Sequence, residues 1–281
     1  MDQHLPSSPV ASLPRGIVSV TGADAGGFLQ GLISNDIAKA EDGRLVYAFL
    51  LTPQGKVIAD FLIVPISGGF WLDCAPAAAA DLAGRLNRYK LRAKVAVEDV
   101  SAQVRVFAIA VDSRQGLTDP RHPALCRRLY QPGTVPAGAM APERYRAQCL
   151  ALGVPDSADF GTEQTFLLEC NAEELHGVDF RKGCYVGQEL SARMKHRGTA
   201  RKRILRAEVS TAPLPPPGTP INDGAKPVGE LLTGLGTAAL AMVRLDRWRE
   251  AQGRPLACDG RAVTLSLPAY PLALPEEEAS A

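Results

Sequence analysis

Two apolar runs, residues 45–51 (LVYAFLL) and 57–64 (VIADFLIV), stand on either side of Thr52-Pro53-Gln54-Gly55-Lys56. No other stretch restricts the fold as tightly. Each run is strand-length and rich in Val, Ile, Phe and Tyr, and Pro53 and Gly55 punctuate the polar link as a turn, so the segment predicts a β-hairpin. Residues 70–74 follow Ser67-Gly68-Gly69 as a third strand. Residues 76–89 are rich in alanine with Pro76 suited to a first helical turn, which predicts a helix. Residues 95–99 and 104–111 are strands again. The order β-β-β-α-β-β predicts a compact α+β module over about residues 45–111.

Around this module the reading is coarser. Residues 10–36 predict a short strand and a helix starting at Thr21 or Asp24. Residues 112–142 are rich in Pro, Gly and Arg and are expected as a long connection. A helix over 142–152, helical or mixed structure over 158–168 and a turn at 173–175 follow. After Arg203 the texture changes: "APLPPPGTP" and alternating stretches such as "VTLSL" predict an all-β C-terminal domain. The tail "PEEEASA" is expected to be disordered.

A length of 281 residues allows two or three domains, and a net charge of +1 gives no bulk signal for nucleic acid or membrane. The charge asymmetry is local. Residues 163–179 carry five acids and no Lys or Arg, and 181–208 carry nine Lys/Arg and two acids. An earlier basic run holds Arg85, Arg88, Lys90, Arg92 and Lys94. Two such runs fit a small anionic ligand or a partner surface, against the simpler account of a solvated face. The N-terminus has no apolar h-region, so no secretory signal is expected, and the apolar runs fall short of a membrane span. The six cysteines, at 74, 126, 149, 170, 184 and 258, form no CxxC pair and are expected as free thiols in a reducing, cytoplasmic setting. "GLGTAA" at 234–239 imitates a dinucleotide fingerprint but lacks a βαβ context. His176, Cys184 and His196 fit no zinc spacing, and no metal is expected.

"DFRKGCYVGQELSARMKHRG" (179–198) carries the chemistry. Gly183 and Gly187 frame Cys184-Tyr185-Val186, and a helix is expected from Gln188 to a stop at Gly198. Cys184 thus precedes a helix N-terminus, with Arg181 and Lys182 beside it, conditions that favour a thiolate. The alternative is a buried structural cysteine. A nucleophile would need a base, and only His176 or His196 lies near in sequence. The residues themselves define an electropositive site with an available thiol and go no further.

"KGCYVGQE" (182–189) resembles the signature of the YgfZ family, tetrahydrofolate-binding iron–sulfur assembly factors similar to the aminomethyltransferase (T-protein) of the glycine cleavage system. "GADAGGFLQGLISNDI", "LTPQGKVIADFLI", "YKLRAKV" and "HRGTARKR" fall in the same order as in that family, over nearly the whole chain. The resemblance implies an α+β, three-domain ring: a discontinuous N-terminal domain (1–44 with 112–202), a ferredoxin-like middle domain (45–111) and a C-terminal β-barrel (203–281). It implies a tetrahydrofolate site at the ring centre. There Glu169 of "LLECN" would meet the pterin, with Asp60, Asn171, Gly183, Tyr185, Gly187, Gln188 and Arg193 as further contacts or loop-shaping residues. Cys184 would be the reactive thiol and Lys182 its electropositive neighbour. The partners implied are the iron–sulfur assembly machinery and client iron–sulfur enzymes. A folate-dependent aminomethyl transferase is the rival reading. The T-protein has two adjacent acids where this chain has Ala59-Asp60, and that weakens the rival.

Overall fold

The computed structural model describes residues 11–41, 43–132, 141–198, 200–224 and 226–272. The acidic tail at 275–281 lies outside them. In the first part of the chain are β1 (Ala11–Leu13), β2 (Gly16–Thr21), α1 (Ala25–Gln30), α2 (Ala38–Glu41), β3 (Val46–Leu51), β4 (Val57–Ile66) and β5 (Gly69–Cys74). Then come α3 (Ala79–Tyr89), β6 (Ala96–Asp99), β7 (Val104–Ile109), β8 (Arg127–Pro132), α4 (Glu143–Leu152), α5 (Ser157–Phe160) and α6 (Gln188–Arg197). The last part holds β9 (Lys202–Val209), β10 (Pro220–Asn222), β11 (Pro227–Leu235), β12 (Ala238–Arg244), α7 (Leu245–Glu250), β13 (Leu256–Cys258) and β14 (Arg261–Ser266).

The hairpin is β3–β4, in an antiparallel sheet of order β3-β4-β5-β2-β6. Its strands read as unbroken apolar runs because both faces are covered. Val46, Ala48 and Leu50 of β3 pack with α1 and α3 on one side. Tyr47, Phe49 and Leu51 point the other way, into a central core shared with Leu150, Phe160, Leu167, Tyr185 and barrel residues Ile204, Leu240 and Met242. The two-residue alternation survives, but both phases are apolar.

β2, α1, β4, β5, α3 and β6 follow the β-α-β-β-α-β order of a ferredoxin-like unit, with β3 added at the edge. That unit begins at β2, not at residue 45: Gly16–Thr21 pairs with β5 on one side and β6 on the other. The sheet therefore joins segments that the sequence assigned to separate domains. β7, expected in the same module, leaves it to sit between β1 and β8 in a three-stranded sheet. Its inward residues Val104, Val106 and Ala108 pack on Ala11, Leu13 and Ile17, forming a small second core. β8 lies inside the stretch expected as a connection.

β10-β11-β12-β9-β14-β13 close into a six-stranded barrel. "GLGTAA" forms the β11–β12 hairpin, with no following helix in a βαβ unit. Helix α7 interrupts the expected all-β pattern.

Candidate functional site

Cys184 is exposed, whereas Cys74, Cys149, Cys170 and Cys258 are buried and Cys126 is intermediate. The loop that carries it is fixed from beneath by Lys182. The Lys182 side chain turns inward, and its Nζ donates to the carbonyls of Gln30 (2.7 Å), Ile33 (2.7 Å) and Asn35 (2.9 Å). An ammonium has three N–H donors, and all three are used. Two of those carbonyls lie in the turn after α1, so the lysine closes the C-terminal end of that helix. Nζ also stands 5.1 Å from the Tyr185 ring centroid. Burial lowers the Lys182 pKa to about 8. The expectation that Lys182 lends positive charge to the thiol is corrected: residue 182 faces the interior, and its charge meets carbonyls under the loop.

Gly187 fixes the loop from the side. Its φ of +81° lies in the left-handed region, and a Cβ there would stand 2.5 Å from the Thr52 carbonyl oxygen and 2.9 Å from Leu51 Cβ. The two sequence motifs therefore meet here: the TPQGK turn packs against the start of α6. Gln188 Oε1 accepts from the Tyr185 N–H at 3.2 Å. Gly183 plays no such part, since a Cβ at that position meets nothing within 4 Å. Tyr185 is buried in the central core, its hydroxyl has no hydrogen-bond partner among the described residues, and burial pushes its phenol up to about 12. Neither His176 nor His196 hydrogen-bonds Cys184 among the described residues, so no catalytic dyad forms there.

The other end of the hairpin turn leads to Glu169. Lys56 bridges Phe166, and Val57 N–H donates to the Thr165 carbonyl at 2.9 Å. Residues Leu167–Cys170 form a short 3-10 turn whose Glu169 Oε2 accepts from the Phe166 N–H at 3.0 Å. Glu169 is half-buried, and its second oxygen makes no hydrogen bond among the described residues. Asn171 differs: it is fully buried at φ 55°, and its Nδ2 donates to the Ile204 carbonyl (2.8 Å) and the Tyr270 hydroxyl (3.0 Å). Its amide ties the central core to the barrel. Arg193 is exposed on α6.

Asp60 is 2% exposed. The Tyr47 hydroxyl donates to Oδ2 at 2.9 Å and the Ser157 hydroxyl donates to Oδ1. Burial, then the nearby Asp156 charge, push this carboxyl up, against the opposing Ser157 bond and the Arg15 and Arg121 charges. Asp60 thus anchors α5 to the sheet.

A chain of buried charges beside it was not visible in sequence. Asp73 accepts from Arg15 Nε (2.5 Å), Arg128 Nη1 (3.2 Å) and the Tyr130 hydroxyl (2.8 Å). Asp119 pairs with Arg121 through Nε (3.0 Å) and Nη2 (2.7 Å), and the Tyr145 hydroxyl accepts from both Arg121 and Arg128. Burial alone would raise Asp119, but Arg121 and Arg128 bring it down to about 2. The one sequence signal was a lone charge in an apolar strand, as in "FWLDC".

The ferredoxin-like sheet, the central core and the closed barrel define a protein of the aminomethyltransferase fold with a scaffolded, solvent-facing thiol. Residues 14–113 match the GCVT N-terminal domain, and residues 201–271 match the CAF17 C-terminal beta-barrel domain. The fold superposes on glycine cleavage system aminomethyltransferase T from Bartonella henselae with a TM-score of 0.69 at 12% identity, covering 92% of this chain and 85% of that one. Among relatives named iron-sulfur cluster assembly factor IBA57 homolog, mitochondrial, that of Neurospora crassa is 35% identical over 68% of this chain and 51% of its own length. That of Aspergillus fumigatus is 31% identical over 86% and 72%, and that of Pyricularia oryzae 34% over 83% and 70%. The chain belongs to the IBA57 family of iron–sulfur cluster assembly factors. It spans about half the length of the first of these relatives.

The relatives' names overturn the expected cytoplasmic location, because they place those proteins in the mitochondrion.

Proposed function

We propose that this protein supports the assembly or repair of iron–sulfur clusters in other proteins, with Cys184 as the thiol that meets the cluster-bearing partner. One observation carries the reading: the exposed cysteine sits on a loop that Lys182 locks to the turn after α1 and Gly187 locks to the β3–β4 hairpin. A rigid scaffold lets a thiol be presented to a partner without ordering a loop each time. The cluster is cargo, and the partners are the assembly machinery and client iron–sulfur enzymes. The role is accessory. The rival transferase reading needs a carboxylate open to the one-carbon unit, and Asp60 is buried with both oxygens hydrogen-bonded.

Tetrahydrofolate is the ligand that the fold suggests, and when bound it supplies a carrier for one-carbon units. Glu169 fits it: a half-buried carboxylate with one oxygen open can accept from an amino or ring N–H edge. The unpartnered Tyr185 hydroxyl in the adjoining core is a second polar group suited to such a ligand. Asp60, Asn171 and Lys182 already have partners and act by holding the walls.

The test uses cells lacking their own factor, supplied with wild type, Cys184→Ser or Glu169→Ala. Cys184→Ser is expected to fold and to lose support of iron–sulfur enzyme activity. Full activity of the serine variant would remove Cys184 from the function. For the ligand, tetrahydrofolate at about 100 times its Kd stabilises by roughly 2.7 kcal/mol. Glu169→Ala is expected to reduce that shift, and an equal shift in both proteins would remove Glu169 from the site.

A further inference from the structure

The first basic run stands apart from this chemistry. It occupies the end of α3 and the loop to β6. Arg88, Tyr89, Leu91, Arg92 and Lys94 are exposed, and Lys90 is half-buried. Leu91 is 88% exposed, the largest exposure among the large apolar side chains described. Its φ of 42° lies in the left-handed region that bulky residues avoid. Arg85, one turn earlier, is bonded to Asp81 and Glu163. Among the described residues no ion pair engages Arg88, Lys90, Arg92 or Lys94. An apolar tip is thus presented within a run of four cations that have no ion pair among the described residues. Burial does not account for it, since Leu91 is almost fully exposed.

This loop is continuous with the Cys184 face. Lys94 N–H donates to Asp24 Oδ2 at 2.7 Å, just before α1. At the other end of α1, Gly31 O accepts from the Val186 N–H at 3.3 Å and Gln30 O from Lys182. The six residues of α1 bridge the two loops over about 9 Å. Between them Gly26 and Gly27 carry no side chain, and a Cβ at either would meet nothing within 4 Å. A shallow depression lined by Gly22, Gly26, Gly27, Ile66 and Phe70 runs alongside.

We infer that this face docks an acidic protein, with Leu91 as apolar anchor and Arg88, Lys90, Arg92 and Lys94 as the steering charges, so that the docked partner reaches Cys184 along α1. The inference rests on the reading of Cys184 as the thiol that meets the partner. Four like charges beside one apolar tip select a surface of opposite sign and speed the encounter. A lipid surface is the poorer fit, because one leucine and one half-exposed tyrosine bury too little to hold a membrane.

The full chain is titrated against a purified iron–sulfur carrier protein of net negative charge, at about 50 and about 300 mM salt. Wild type is expected to bind and to weaken as salt rises. Leu91→Ser is expected to weaken low-salt binding about tenfold or more, the worth of burying one leucine, and the double variant Arg92→Glu/Lys94→Glu to weaken it and to lose its salt dependence. Both variants are expected to keep the wild-type melt, because the loop is exposed. No binding by wild type, or unchanged affinity in both loop variants, overturns the docking face and leaves the reading of Cys184 standing. Loop variants that bind weakly and fail in cells, beside a fully active Cys184→Ser, would keep the docking face and sink that reading. Binding of wild type but not Leu91→Ser to phosphatidylserine vesicles, with carrier affinity unchanged, makes the loop a lipid contact and also overturns it.

Discussion

Lys182→Met removes the ammonium under the Cys184 loop while keeping a side chain of similar length. The carbonyls of Gln30, Ile33 and Asn35 then lose their donor. Each buried acceptor left without a partner costs about 1–3 kcal/mol. Three at the low end give about 3 kcal/mol, and relief from holding a buried charge offsets part of it. A net loss of about 2 kcal/mol at pH 7 is expected, near 4–8 °C in Tm for a chain of this size. The loss should grow with pH. The folded pKa is lowered to about 8 from 10.5, so between those values the unfolded chain holds a proton that the folded one has released. Wild-type stability therefore gains with rising pH across that window, and the methionine variant lacks this gain. Urea melts at pH 7 and pH 10 measure both quantities. A variant as stable as wild type, with the same difference at both pH values, would show that the three-carbonyl cage does not form and that Lys182 is free to serve the thiol.

The two glycines of the motif should separate cleanly in thermal melts. Gly187→Ala is expected to cost about 2 kcal/mol or more, because φ is +81° and the new Cβ meets the Thr52 carbonyl, while Gly183→Ala should cost under about 1 kcal/mol. Asp73→Asn leaves Arg15 without its buried counter-ion and Arg128 with Asp119 alone, and is expected to cost about 3–5 kcal/mol in urea unfolding; a loss under about 1 kcal/mol would show the network to be solvated. Asp60→Asn is expected to flatten the dependence of stability on pH. The folded carboxyl titrates above its unfolded value of 3.8, so wild type loses stability as pH rises between the two, and the asparagine variant should not. Parallel stability–pH curves would refute that.

What was legible in sequence was set by local chemistry. Pro53 and Gly55 between β-branched runs sufficed for the hairpin, and Gly198 ends α6 at φ 60°, as a helix-stopping glycine should. β2 and β7 were misplaced because distant strand partners, β6 for β2 and β1 for β7, leave no mark on the strand itself. Cys184 could be read as available from its loop residues. Lys182 was misassigned because side-chain direction in an irregular loop has no period to read. Asn171 looked like a ligand contact by position, yet its left-handed backbone and its bonds to Ile204 and Tyr270 come from packing that only the whole chain provides.

The joint that Asn171 makes with the barrel has a consequence for how the chain matures. Its partners, Ile204 and Tyr270, are 33 and 99 residues downstream, and the Tyr270 hydroxyl also reaches back 117 residues to the Gly153 carbonyl. During synthesis the central core must therefore wait, with Tyr47, Phe49 and Leu240 able to find wrong neighbours, until the last barrel segment has emerged. Such long-range closure is slow and exposes apolar surface to aggregation. A chain stalled within the barrel would carry a complete sheet whose Tyr47 and Phe49 face lacks the barrel residues that cover it.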